Sequence, residues 1–101
     1  MLINLKFMSE WQDKMLSGRK TCTCRTSKNG NVGDNFVVFN TKFIITDIQR
    51  RMLGAVVLFY KEEGCDTLEE FKQIWIKLHP IMGYNPERKV YFHFFRKETN
   101  G

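Results

Sequence analysis

Between residues 16 and 26 the chain reads LSGRKTCTCRT, which places Arg19, Lys20 and Arg25 within seven residues of one another, around Thr23. Cations packed so closely repel unless an anion or a carboxylate sits among them. The sequence offers that counter-charge in the loop KEEGCDT, through Glu62 or Glu63. These residue types suit acyl chemistry. A threonine hydroxyl becomes a nucleophile once a base removes its proton, and a lysine can be that base where burial and neighbouring cations favour its neutral form. Arg19 and Arg25 supply such cations. A glutamate can orient the lysine or accept from an amino group, while Arg25 or backbone N–H groups can stabilise an oxyanion. The plain alternative is a structural ion-pair network that anchors a loop on the fold.

Residues 2–7, LINLKF, read as a first strand. Ser9 and Gln12 form a capping box for a helix over 9–17, with Trp11, Met15 and Leu16 on one stripe and Gly18 as its left-handed cap. In KTCTCRT, strict alternation sends Thr23 and Arg25 to one face with Thr21, and Cys22 and Cys24 to the core. Lys20 has the wrong parity for that face and joins it only if the corner residue escapes the alternation. SKNGN and VGD supply turns, and NFVVF, KFIITDIQ and MLGAVVLFY read as further strands. Thr67 and Glu70 open a second helix, whose stripe of Phe71, Ile74, Trp75 and Leu78 reads as core packing, until His79 and Pro80 end it. The last strand, KVYFHFF, is apolar on nearly both faces and therefore central. The order β-α-β-β-β-β-α-β with short connections predicts an α+β fold: a small curled antiparallel β-barrel with two flanking helices.

The 101 residues fall in the size range of a single domain, here taken as 1–101, and nine phenylalanines supply core bulk. Three cysteines, two of them a residue apart, argue against a disulfide framework and for a reducing cytoplasm. Zinc at Cys22 and Cys24 would need two more soft ligands, with only Cys65, His79 and His93 on offer, so neither metal nor cofactor is expected. His93, between two phenylalanines, reads as a hydrogen-bonded core or cleft-wall residue. No apolar run is long enough to span a membrane, and no leader pattern opens the chain. A net charge of +5 favours a polyanionic partner such as RNA. Arg50, Arg51, Arg88 and Lys89 are the candidate phosphate contacts, and Trp11, Tyr84 and Tyr91 the candidate stacking surfaces.

Gly18, Lys20, Thr23 and Arg25 in GRKTCTCR, Gly33 and Asp34 in VGD, the EEG loop before TLEEFKQIW, and the closing VYFHF together resemble an ASCH domain. The similarity runs from about residue 3 to residue 96. The resemblance implies a PUA-like barrel with a cleft, between barrel and helices, suited to RNA or a nucleoside. Many members carry glutamate where this chain has Thr23. The threonine form is similar to the small bacterial amidohydrolases that deacetylate N4-acetylcytidine, whose lysine, threonine and glutamate match Lys20, Thr23 and Glu63 by motif position. The loop is one residue longer here, which leaves Glu62 as the other match, and HPIMGYNPERK adds residues at the cleft's rim. Three functions follow: recognition of RNA or a nucleoside, deacetylation of N4-acetylcytidine, and metal-independent cleavage of RNA.

Overall fold

The computed structural model describes residues 1–98. Four strands, β1 (Cys22–Arg25), β2 (Asn35–Val38), β3 (Thr41–Met52) and β4 (Lys89–Lys97), form one antiparallel sheet in the order β1-β4-β3-β2. Two helices, α1 (Gln12–Leu16) and α2 (Leu68–Leu78), complete an α+β fold whose sheet curls into a half-barrel. The apolar β4 lies between β1 and β3, as its two-sided hydrophobicity requires.

Alternation along β4 builds two cores. Val90 and Phe92 pack with Cys22, Cys24 and the α2 residues Phe71 and Trp75. Phe95, of the opposite parity, packs with Phe36, Phe43, Ile45, Leu5 and Met15. The rings of Phe36, Phe43 and Phe95 meet at centroid distances of 5.3 to 5.6 Å, stacked or edge-on. Between β2 and β3 the chain turns on Phe39 and Asn40, both with positive φ (53° and 56°), the primed geometry that matches a hairpin's twist. Thr67 caps α2 as expected, its hydroxyl accepting from the Glu70 amide at 3.1 Å.

Three expectations give way. Residues 2–7 form no regular strand: Ile3 donates to Asn35 O at 2.7 Å, only an isolated bridge joins Leu2 to Asn35, and Leu5 then dips into the core. MLGAVVLFY contributes Met52 to β3 and then winds into a 3-10 segment over Leu53–Leu58, burying Leu53 and Val56 at helical spacing while Val57 and Leu58 face outward. Thus one long β3 replaces two of the expected strands, and the sheet has four. Ser9 makes no cap; Ser9–Trp11 is a 3-10 turn leading into α1.

Candidate functional site

Gly18 adopts the left-handed conformation (φ 81°) that ends α1, and the chain folds back so that Lys20 N donates to Lys14 O at 2.9 Å. Lys20 therefore belongs to the helix-closing turn rather than to β1, which begins at Cys22, and the strand's parity does not govern it. Its side chain is 3% exposed. The ammonium donates to Cys22 O at 2.9 Å and Glu63 O at 2.8 Å, and lies 4.3 Å from the Trp11 ring centroid.

The choice between the two glutamates is made by the backbone. Glu62 O accepts from Thr21 N at 2.7 Å and Cys22 N at 3.0 Å, which ties the acidic loop to the start of β1. Glu62 is then left outside, while Glu63 turns inward, with Oε1 3.6 Å from Lys20 Nζ. Its other oxygen, Oε2, is buried with no hydrogen-bond partner. Burial pushes the Glu63 carboxyl above its ordinary range, opposed chiefly by the Lys20 charge.

Thr23 is buried, and its Oγ1 accepts from Arg25 Nε at 3.0 Å. Arg25 also donates to Lys6 O at 2.7 Å and lies over the Phe7 ring at 4.9 Å. Behind them His93, fully buried, accepts from Asn29 N through Nε2 at 3.0 Å, so Nδ1 carries the proton and faces Thr23 O at 3.3 Å. Burial, aided by Arg25 and Lys28, lowers the affinity of this ring for a second proton. Of the two expected placements, core or cleft wall, the structure has the hydrogen-bonded core histidine: His93 is fully buried and does not line the cavity described next.

Lys20, Thr23, Arg25 and Glu63 converge on one cavity of about 390 Å³. Trp11 and Phe7 face it from the N-terminal segment, Phe71 and Trp75 from α2, His79 from the residue that ends α2, and the exposed Lys6, Ser27 and Leu78 sit at its mouth. The volume suits a small organic ligand. The α2 stripe is thus more than core packing, and His79 more than a terminator: its ring stacks on Trp75 at 4.1 Å while Trp75 Nε1 donates to Gly83 O at 3.1 Å. A helix stripe that is apolar looks the same in sequence whether a partner or a cavity meets it. The segment Lys6–Met8 was likewise hidden as a strand end.

The other candidates lie elsewhere. Arg19 reaches outward to Asp66 at 2.8 Å, both exposed. Arg50 stands on the sheet over Tyr91 at 5.9 Å, while Arg51, of opposite parity, lies over Phe59 at 5.6 Å and donates to Gln49 Oε1 at 2.7 Å. Tyr84 packs against the α2-side core, under Lys72, away from the cavity; burial raises its phenol pKa. Arg88 and Lys89 are exposed at the start of β4. Among the described residues no group of three or more His, Cys, Asp or Glu side chains could hold a metal, and no helix is long and apolar enough to cross a membrane.

No protein-family model and no curated protein matches the chain. Solved structures do. An ASCH domain from Lactobacillus crispatus superposes with a TM-score of 0.74 at 17% identity, over 95% of this chain and 78% of that one. The hypothetical protein PH0355 gives 0.68 at 12% identity, over 91% and 94% of the two chains. Protein EF3133 from Enterococcus faecalis gives 0.65 at 20%, over 96% and 74%. The chain therefore has the fold of an ASCH domain, a curled four-stranded antiparallel half-barrel with a few helices.

Proposed function

We propose that this chain recognises a nucleobase, borne by RNA or by a free nucleoside, in the cavity floored by Lys20, Thr23 and Glu63. One observation carries the reading: Glu63, whose Oε2 is buried without a hydrogen-bond partner, lines a cavity walled by aromatic rings. Such an atom is unfavourable by about 1–3 kcal/mol until a ligand satisfies it. A base offers what is missing, an amino or imino group for the carboxyl and a flat π face for the aromatic walls. Arg25 adds a cation at the mouth, where a sugar or phosphate would emerge.

A second reading, deacetylation of N4-acetylcytidine, is favoured by the Thr23 hydroxyl on the same floor. Thr23 Oγ1 would attack the acetyl carbonyl, Lys20 take its proton and pass it to the departing exocyclic nitrogen, and water then release acetate from the acyl-threonine, with Glu63 holding the lysine and the amino group. Lys20 Nζ is engaged by Cys22 O and Glu63 instead of Thr23, and Thr23 by Arg25, so recognition fits this geometry more directly than catalysis does.

Calorimetric titration with cytidine, N4-acetylcytidine and a short single-stranded RNA tests both readings. Saturable binding that Glu63→Gln weakens tenfold or more, with the fold intact, is the expected result. Acetate release by wild type and none by Thr23→Ala adds the catalytic reading, whereas retained turnover by Thr23→Ala removes Thr23 as nucleophile. Absence of saturable binding to all three ligands overturns the proposal.

A further inference from the structure

The register of the sheet aligns a row of side chains that begins at the cavity and leads away from it. Arg25 on β1 opposes Tyr91 on β4, and Tyr91 opposes Arg50 on β3. All three stand on the face that also carries Thr23, His93 and Ile48, the neighbouring row. Arg50 lies over the Tyr91 ring at 5.9 Å, and Lys28 joins Arg50, Tyr91, Val32 and Ile48 around a shallow groove of about 260 Å³. The loop between β1 and β2 that carries Lys28 is pinned to the same sheet by Asn29 N donating to His93. Alternation along β4 puts Lys89 on this face as well.

The charge of this surface is one-sided. None of Arg25, Lys28, Arg50 and Lys89 forms an ion pair with a carboxylate among the described residues, whereas Lys14, Arg19, Lys20 and Lys42 each do. The acidic residue of β3, Asp47, has the opposite parity and closes a ladder with Gln49 and Arg51 on the other face. Cations spaced across adjacent strands, with an aromatic ring between them, match the alternating phosphates and bases of an unpaired strand. An unpaired strand fits better than a duplex, because Arg25 at the end of the row lines the cavity of about 390 Å³, which only a base free of its pairing partner could enter.

We infer that this face is a track for single-stranded RNA, with Arg25, Arg50, Lys28 and Lys89 on successive phosphates and Tyr91 under a base, so that the cavity receives a base from within a polymer. The inference rests on the nucleobase reading of the cavity and narrows its substrate class from nucleoside to polynucleotide. It also sorts the basic residues: Arg51 and Arg19 lie off the track, and Arg50 lies on it.

The test compares a labelled cytosine-containing RNA hexamer, followed by fluorescence anisotropy across a salt series, with cytidine followed by calorimetry. Wild type, Lys28→Glu with Arg50→Glu, and Tyr91→Leu are measured beside a control of equal charge change, Lys77→Glu with Arg96→Glu, at exposed positions off this face. The hexamer is expected to bind at least tenfold tighter than cytidine. The track double variant should lose that advantage and flatten the slope of log affinity against log salt by about 0.7 for each phosphate contact removed. Cytidine binding should not change, the control should stay within about twofold of wild type, and Tyr91→Leu should weaken the hexamer alone. Hexamer binding equal in track and control variants, with cytidine still bound, overturns the track and leaves the cavity reading standing. A hexamer that depends on Arg50 but is indifferent to Glu63→Gln, while cytidine never binds, removes the cavity reading and with it the inference that this face feeds a base into the cavity. Failure of both ligands to bind wild type removes both.

Discussion

Glu63 holds Lys20 twice, through its carbonyl oxygen at 2.8 Å and its carboxyl Oε1 at 3.6 Å, so one residue of the acidic loop both places the lysine and faces it with a counter-charge. Both side chains are almost wholly buried, and the pair fastens the loop before α2 to the corner after α1. Removing one partner of such a pair leaves the other unmatched in a poorly solvated place. Lys20→Met should therefore destabilise the fold by about 3–5 kcal/mol. Lys20→Met with Glu63→Gln should lose clearly less than the two single losses added, a coupling that denaturant unfolding of the four proteins measures. Additive losses would mean that the pair contributes nothing beyond its separate contacts.

The raised pKa of Glu63 fixes a sign. In the unfolded chain the carboxyl loses its proton near pH 4.3; in the folded chain it keeps it to higher pH. Between those two values the folded state binds more protons than the unfolded one, so this group's contribution to stability falls as pH rises. Glu63→Gln lacks that dependence. The melting temperature of the variant minus that of wild type should therefore increase from pH 4.5 toward pH 7, whatever its absolute sign. A difference that decreases over the same range would show that Lys20 outweighs burial and holds the carboxyl ionised.

His93 gives the opposite slope. Burial first, then Arg25 and Lys28, keep the folded ring neutral at pH values where the unfolded ring, with its pKa near 6.5, already takes a second proton. Stability from this group is present above that value and is lost as pH falls toward the lowered folded pKa. Protonation would also set an Nε2–H against the Asn29 N–H, breaking the bond that pins the loop over the sheet. Nitrogen-detected NMR at pH 6 should show a neutral ring protonated on Nδ1. The acid-side fall in melting temperature between pH 6.5 and pH 5 should be shallower in His93→Gln.

Much of this arrangement was legible because it depends on local rules. The Thr23–Arg25 face, the buried Cys22 and Cys24, the Gly18 cap, the Thr67 cap and the central place of β4 all follow from alternation or cap chemistry and are found. What could not be read depends on contacts distant in sequence. Leu53 and Val56 are buried because Leu53 N donates to Arg88 O at 2.7 Å and Gly54 N to Pro86 O at 2.8 Å, which winds a β-branched run into a 3-10 segment. The choice of Glu63 over Glu62 likewise waits on Glu62 O meeting the amides of Thr21 and Cys22. Arg50 and Arg51 are equivalent in sequence and separate only once the register with Tyr91 and Val90 is known.

Gly64 shows how closely the acidic loop is fitted to the site. It follows Glu63 with φ +93°, a conformation that L side chains rarely adopt, and an added Cβ would stand 3.0 Å from Trp11 Cζ3 and 3.2 Å from Lys20 Cβ. Gly33 has nearly the same φ, +94°, with nothing within 4 Å of its would-be Cβ. The two glycines therefore separate backbone strain from crowding. Gly33→Ala carries the strain alone, of order 1 kcal/mol. Gly64→Ala adds overpacking against Trp11 and should destabilise by about 2 kcal/mol more. Because the displaced groups are the cavity's own Trp11 ring and the base of the Lys20 side chain, Gly64→Ala should also weaken cytidine binding under conditions where it remains folded, and Gly33→Ala should not. Equal losses of stability in the two variants would show that Trp11 and Lys20 yield freely, and that the loop does not set the shape of the cavity.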